Sequence, residues 1–114
     1  MPFIKSKVSC PVTHQQEQEL KARLGRAIKM IPGKSEDYLL LEFEDNCRLC
    51  IAGRKASQSL AYIEAAVFGS ENHTGYDAFT AEITGAFQNV LGIQPGNIYI
   101  KYEDITAWGV RAGS

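Results

Sequence analysis

The chain has 114 residues, of which 45% are hydrophobic and 22% charged, and its formal net charge is −1. This size and balance are typical of one globular unit, so we expect a single domain over residues 1–114. The near-neutral charge argues against a nucleic-acid-binding protein, and no stretch approaches the ~20 apolar residues of a membrane span.

The first half of the chain predicts a strand, a helix, two more strands and a turn. Thr13 and Gln16 match a capping box, in which each side chain bonds the other residue's backbone N–H at the start of a helix. An apolar stripe at three- and four-residue spacing follows, and Pro32-Gly33 ends it. The predicted segments, in chain order, are strand Phe3–Ser9, a helix from Thr13 to Ile31, strands Tyr38–Phe43 and Cys47–Ala52, and turn Gly53–Lys55.

The second half repeats this order, beginning with a strand predicted over Ser59–Phe68, which a polar loop over Gly69–Thr74 follows. A second amphipathic helix is predicted from the stripe between Phe79 and Val90, and Gly92 ends it. Alternation over Ile98–Tyr102 predicts a last strand.

The two halves therefore look like one duplicated unit. A Pro-Gly pair follows each helix, and a Glu-Asp pair follows the next strand, with a period of about sixty residues. Because each unit is strand–helix–strand, its two strands are expected to be parallel. The predicted fold class is α+β, with duplicated βαβ units forming a four-stranded mixed sheet and both helices on one face.

The other face of that sheet would be bare. Leu39, Leu40 and Leu41 cannot all point at the helices, because side chains alternate along a strand. An exposed apolar face needs a cover, and further copies of the chain in a closed ring are the simplest one.

Cysteine and histidine placement argues against a disulfide framework or a metal site. Cys10, Cys47 and Cys50 are an odd number, and the last two form a C-x-x-C inside a predicted strand rather than at a helix start. His14 and His73 each stand near the start of a predicted helix, far from that pair in sequence. We therefore expect no metal and no cofactor. Without a signal peptide we expect a cytoplasmic location, although export by another route leaves no such mark.

Several residues together resemble a known family. Pro2 follows the first Met and opens a strand, Lys34 follows the first helix, and Tyr38 comes four residues later. Pro95 then precedes the run Ile98–Asp104. In order and spacing, over essentially the whole chain, this resembles the macrophage migration inhibitory factor and D-dopachrome tautomerase family of the tautomerase superfamily.

The resemblance implies a barrel-like homotrimer with active sites at the subunit boundaries. It implies keto–enol tautomerisation of a small 2-oxo acid such as phenylpyruvate, with no cofactor. Pro2 would be the base and Lys34 would hold substrate oxygens. Ala66 and Val67 would form the pocket wall, and Tyr99 would come from the next subunit.

The chemistry explains why an N-terminal proline suits this role. An unperturbed α-amino group has a pKa near ~7.7–8.0, closer to neutral pH than a lysine side chain. Burial disfavours the cation and lowers that pKa further, and the proline ring fixes the position of the nitrogen. With Met1 attached the Pro2 nitrogen is an amide without a basic lone pair, so Pro2 can act as the base only once Met1 is removed, which the sequence does not decide.

The chain departs from the family at two points. Lys101 stands where the best-known members have Asn, and Trp108 to Arg111 replace a Gly-Trp-Asn segment in a shorter tail. Trp108 either fills a related place in the pocket or caps the core. Lys101 or Arg111 is hypothesised to favour a more acidic substrate.

Two other functions remain open from the sequence. One is a cytokine-like signalling or host-interaction protein that keeps the trimer without the chemistry, which the lost Asn favours. The other is a ferredoxin-like ligand or subunit-interaction module, in which Pro2 is a coincidence. A monomer or simple dimer would favour the latter, because the tautomerase site needs neighbouring subunits.

Overall fold

A computed structural model describes residues 2–52, 54, 55, 58–69 and 72–109. The strands are β1 Pro2–Val8, β2 Leu40–Glu44, β3 Cys50–Ile51, β4 Arg54–Lys55, β5 Ala61–Phe68 and β6 Ile98–Ile105, and the helices are α1 His14–Ala27 and α2 Tyr76–Leu91. Short 3-10 turns cover Ile28–Met30, Glu36–Tyr38 and Pro95–Asn97. Neither α1 nor α2 is long and apolar enough to cross a membrane.

The main sheet confirms the predicted fold class. Its strand order is β2-β1-β5-β6. β1 is parallel to β2 and β5 is parallel to β6, whereas the two central strands β1 and β5 are antiparallel. Each parallel pair is joined through one long helix, so the duplicated βαβ arrangement predicted from the sequence is present.

Local chemistry fixes the ends of both helices. The Thr13 hydroxyl accepts from the Gln16 N–H at 3.1 Å, and the Gln16 side chain accepts from the Thr13 N–H at 2.9 Å, which completes the predicted capping box. α2 instead follows Gly75, whose φ is +84°. A Cβ on Gly75 would lie 2.0 Å from the Met30 carbonyl oxygen, so only glycine fits between the start of α2 and the 3-10 turn after α1.

The helices cover one face of the sheet, and side chains alternate accordingly. In β1, Ile4 and Val8 point into the core, while Lys5 and Lys7 between them are half-buried on the other face. The core combines this face with both helix stripes, and its members are Ile4, Val8, Leu20, Leu24, Ala27, Ile28, Ile31, Ala61, Ile63, Ala65, Val67, Tyr76, Phe79, Ile83, Ala86, Phe87 and Ile93.

The face turned away from the helices, here the open face, is more polar than the leucine run suggested. Leu40 points onto it and is 52% exposed, while Leu39 and Leu41 pack against the core. This split of the three leucines was predicted. The open face also carries charged residues on all four strands, which the expectation of a bare apolar face did not include.

Several predicted segments are wrong in detail. α1 ends at Ala27 rather than Ile31, and β6 continues to Ile105, so it includes Glu103 and Asp104, which were expected to follow it. Tyr38 lies in a 3-10 turn before β2. The strand predicted over Cys47–Ala52 is reduced to β3, because the Cys47 N–H donates to the Val8 carbonyl at 2.9 Å and holds that segment against the end of β1. Of the turn predicted over Gly53–Lys55, Gly53 lies outside the described residues, and Arg54 and Lys55 form strand β4, which pairs antiparallel with β3. Ala52, which follows β3, has a φ of +54°.

Candidate active site

Pro2 begins β1 at one end of the sheet and is buried there. Less than 2% of it is exposed, and in sheet register it lies opposite Val67 of β5. It shares the helix-facing side of β1 with Ile4. Once Met1 is removed, the free amine of Pro2 would be surrounded largely by apolar groups.

Lys34 lies at the same end of the sheet. Its Nζ donates a hydrogen bond of 2.5 Å to the carbonyl oxygen of Phe68, the residue after Val67. Its backbone N–H donates to the Ile31 carbonyl at 3.1 Å, which anchors the turn after α1. From strand spacings, the ammonium group lies within roughly 10 Å of the Pro2 backbone. The sequence pointed to Lys34 but gave no sign of its carbonyl partner.

The two predicted wall residues lie on opposite faces of β5. Val67 is 1% exposed, belongs to the core and is next to Pro2. Ala66 is 9% exposed and shares the open face with Phe68, which is 37% exposed. A substrate beside Pro2 would thus meet Val67 from the helix side of the sheet.

Tyr99 and Lys101 lie far from Pro2 within one chain. Tyr99 is opposite Tyr62, five positions along β5 from the residue opposite Pro2, which corresponds to about 17 Å along the strand. Lys101 is opposite Glu64, about 10 Å along the strand by the same measure. Both side chains also point to the open face, so one chain does not bring them to Pro2.

The C-terminal candidates are only partly described. Trp108 is half-buried and follows the end of β6 by three residues. Because Asp104 is opposite Val67 in register, this end of β6 is the one nearest Pro2. Arg111 lies outside the described residues.

A polar and aromatic cluster that the sequence did not reveal borders this end of the sheet. His73 Nε2 lies 2.9 Å from a carboxylate oxygen of Asp104, and the His73 ring stacks on Tyr76 at 4.9 Å. Tyr76 in turn stacks on Tyr102 at 4.5 Å. Burial raises the pKa of the Tyr102 hydroxyl, which lies 2.5 Å from the Thr80 hydroxyl.

The described part of the chain offers no constellation for metal chemistry. Within it, no group of three or more His, Cys, Asp or Glu side chains could hold an ion. The three cysteines are free thiols, and the Cys47 Sγ contacts the Glu44 carbonyl at 3.5 Å.

Known structures with the same fold are numerous. Among them is MIF2 of Leishmania major, with a TM-score of 0.86 and 26% identity, covering 96% of this chain and 93% of that one. A macrophage migration inhibitory factor homologue from Prochlorococcus marinus has a TM-score of 0.82 and 22% identity, covering 96% and 95%. A fused 4-OT solved as an asymmetric trimer has a TM-score of 0.83 and 14% identity, covering 95% and 91%.

No protein-family model and no curated protein sequence matches the chain. The relation is therefore carried by structure over nearly the whole length. The resemblance to macrophage migration inhibitory factor homologues, predicted from the sequence, is confirmed by the MIF2 structure, and the other two structures share its fold.

Proposed function

We propose that this chain is a trimeric keto–enol tautomerase of phenylpyruvate-like 2-oxo acids, with Pro2 as the general base once Met1 is removed. The observation that carries the proposal is the burial of Pro2 at the end of the sheet where Lys34 is anchored. A base and a cation within reach of one small anion are what this reaction needs.

The proton balance of the reaction is simple. The neutral Pro2 nitrogen takes a proton from the carbon next to the ketone, and the electron pair of that C–H bond forms the enolate. The protonated nitrogen then returns a proton to the enolate oxygen, which gives the enol. Lys34 stabilises the carboxylate or the developing oxyanion, since its ammonium is a compact point charge.

The amine should stay neutral near pH 7 in this environment. Val67, which is buried opposite Pro2, supplies an apolar wall. Desolvation and the nearby Lys34 charge both disfavour a second cation, so both act to lower the pKa of the Pro2 amine.

The trimer completes the proposed site. Tyr99 is 46% exposed and too far from Pro2 in its own chain, so we propose that it reaches the Pro2 of the next subunit and donates a hydrogen bond to the substrate oxygens. Lys101 would arrive with it. The fused 4-OT relative is a trimer, which supports this assembly.

Phenylpyruvate tautomerisation by a Pro2→Gly variant tests the proposal. Both proteins are first checked by mass spectrometry for loss of Met1. We expect the variant to lose up to roughly 10²–10⁴-fold in kcat/KM, the contribution of a positioned general base, because its N-terminal amine remains but is no longer held in place by the proline ring. Pro11→Gly is the matched control, since Pro11 is exposed and lies beyond the far end of β1. It should keep wild-type activity.

Two outcomes would contradict the enzyme proposal. A processed trimer without activity would favour the signalling function instead. Equal activity in the Pro2→Gly variant would mean that the proline ring has no part in the chemistry, since the glycine amine could still act as the base.

A further inference from the structure

His73 and Asp104 form a close pair at the end of the sheet where Pro2 and Lys34 lie. The His73 Nε2 is 3.1 Å from one carboxylate oxygen of Asp104 and 2.9 Å from the other, so both oxygens are held by the same ring nitrogen. The His73 ring also stacks on Tyr76 of α2 at 4.9 Å, which orients it. The pair joins the loop before α2 to the last strand, and the proposed reaction gives it no role.

The Asp104 carboxylate lies on the same side of the sheet as Pro2. Asp104 is opposite Val67 in register, and Val67 is opposite Pro2. Asp104 and Pro2 are therefore two strand spacings apart, about 10 Å. Residues that are opposite each other on neighbouring strands point to the same face, and Pro2 and Val67 are on the helix-facing one. A negative charge is thus held close to the place where a 2-oxo acid anion is proposed to bind.

Lys34 lies within reach of the same carboxylate. Its Nζ donates to the carbonyl of Phe68, and Phe68 follows Val67, the residue opposite Asp104. From strand spacings, the ammonium group lies within roughly 10 Å of the Asp104 backbone. Among the described residues, however, no carboxylate forms an ion pair with Lys34, and Asp104 is paired with His73 instead. The charge of Lys34 is therefore available to a bound anion.

Without its partner, the Asp104 carboxylate would compete with the substrate. Lys34 carries its ammonium group on a flexible four-carbon stem, so rotation of the two side chains would bring the opposite charges together. A lysine that is paired with an internal carboxylate attracts a bound anion less, and a free carboxylate near the site repels that anion. Both effects weaken the binding of an anionic ligand and leave that of a neutral ligand unchanged.

We propose that His73 is a positioning residue that holds the Asp104 carboxylate away from Lys34. Lys34 then stays available to the carboxylate of the substrate. The inference rests on the role of Lys34 in the proposed function, and it adds a pair of residues that sets the affinity for anionic ligands. The two members of the pair act with opposite sign, because His73 promotes anion binding and Asp104 opposes it.

A matched pair of ligands tests this inference without any catalysis. The anion is hydrocinnamate, which is phenylpyruvate without its ketone, and the neutral control is the corresponding amide, hydrocinnamamide. Neither compound can tautomerise, because neither has the ketone. Each dissociation constant is measured by isothermal titration calorimetry on protein that has been checked by mass spectrometry for loss of Met1.

Substitutions on the two sides of the pair should shift anion binding in opposite directions. His73→Phe keeps a ring that can stack on Tyr76 but removes the nitrogen that holds Asp104. It should raise the dissociation constant of the anion about two- to fivefold, the range expected for an exposed ion pair. Asp104→Asn should lower that constant by a similar factor. The double variant should match Asp104→Asn, since without the carboxylate His73 has nothing to hold.

Three controls separate this role from a purely structural one. His73→Gln retains an N–H donor and should bind the anion like wild type. Glu103→Gln removes the same charge from the neighbouring residue of β6, which points to the open face, and should change the binding of neither ligand. The amide should bind all these variants equally. If the pair only stabilised the loop before α2, its loss from either side would instead weaken both ligands.

The inference is overturned if His73→Phe and Asp104→Asn shift anion binding in the same direction or not at all. It is also overturned if the amide shifts equally, or if Glu103→Gln acts like Asp104→Asn. If His73→Phe does not fold, His73→Ala replaces it, and the sign of its effect is equally decisive. The proposed function fails separately. Opposite shifts without Pro2-dependent turnover refute the tautomerase alone, whereas Pro2-dependent turnover with shifts of the same sign refutes only the role of His73.

Discussion

One face of the four-stranded sheet is covered by α1 and α2, and the other is open. On the covered face, Ile4, Ile63 and Val67 are at most 1% exposed. On the open face, the residues between them in sequence include the half-buried charged residues Lys5 and Glu64, which are opposite each other in register. The covered face is completed within one chain, whereas the open face leaves charged and apolar residues exposed at its edges, such as Glu42, Lys101, Leu40 and Tyr99.

The two faces contribute to two different properties, the stability of the folded chain and the way in which copies of it associate. Burial of apolar surface against the helices stabilises the chain at about 25 cal/mol per Å². Charge pairs on an exposed face contribute little to that stability, but they distinguish one partner arrangement from another. We therefore expect substitutions on the covered face to change the free energy of unfolding, and those on the open face to change assembly.

The largest expected effects come from two neighbouring substitutions in β1, one on each face of the sheet. Ile4→Ala should lower the free energy of unfolding by about 2–5 kcal/mol, because it removes a buried side chain from a packed core. Phe3→Ala, one residue away on the open face, should cost the single chain less and weaken the trimer more. Urea unfolding at protein concentrations below the trimer dissociation constant measures the first effect, and sedimentation measures the second.

The contrast between the two faces would be contradicted if both substitutions lowered the free energy of unfolding of the isolated chain equally. It would also break if Ile4→Ala shifted assembly while leaving unfolding of the dilute chain unchanged. The first result would mean that the open face is part of the folding core, and the second would mean that Ile4 contributes to contacts between copies rather than to the core of one chain.

The sequence predicted most of the covered face because periodicity reports burial directly. The stripes that include Leu20, Leu24 and Phe79, Ile83 fall in the core as expected. The short segment around β3 was predicted less well, because its conformation depends on the bond from the Cys47 N–H to the distant Val8 carbonyl. Local residue types contain no signal for such a tertiary contact.

The candidate site, too, was predicted only in part. Pro2 and Lys34 were chosen from their positions in sequence, and the fold brings them to one end of the sheet. The separation of Tyr99 from Pro2 follows from strand register, which pattern alone does not fix. The pairing of His73 with Asp104 depends on the course of the loop before α2, which no periodic pattern predicts.

Ser6 gives a smaller test on the covered face. It is 2% exposed, and among the described residues its hydroxyl oxygen has no hydrogen-bond partner. Ser6→Ala should therefore raise the free energy of unfolding by about 1 kcal/mol, since a buried unpaired hydroxyl is destabilising. Ser9→Ala is the matched control, because the Ser9 hydroxyl accepts from the Leu60 N–H at 2.9 Å, and this change should lower stability by a similar ~1 kcal/mol. If Ser6→Ala also destabilises, the hydroxyl binds a buried water.

The smallest expected effect is the pH dependence of stability that Tyr102 contributes. Its side chain lies on the covered side of the edge strand β6. Burial raises its pKa above the ordinary value of 10.0, although the hydrogen bond with Thr80 acts in the opposite direction. Between those two pKa values the folded chain holds a proton that the unfolded chain has lost, so stability should fall as pH rises above about 10. Below pH 10 both states are protonated, and this group should add no pH dependence.

A Tyr102→Phe variant removes the titrating group and leaves the ring that packs on Tyr76 and Phe79. The difference in unfolding midpoint between variant and wild type, measured from pH 8 to pH 11, should be constant up to about pH 10 and then change in favour of the variant. A constant difference over the whole range would mean that the Tyr102 hydroxyl is as well solvated in the folded chain as in the unfolded one. The covered face would then admit water at its β6 edge, and the contrast between the two faces would hold only for the strands further inside the sheet.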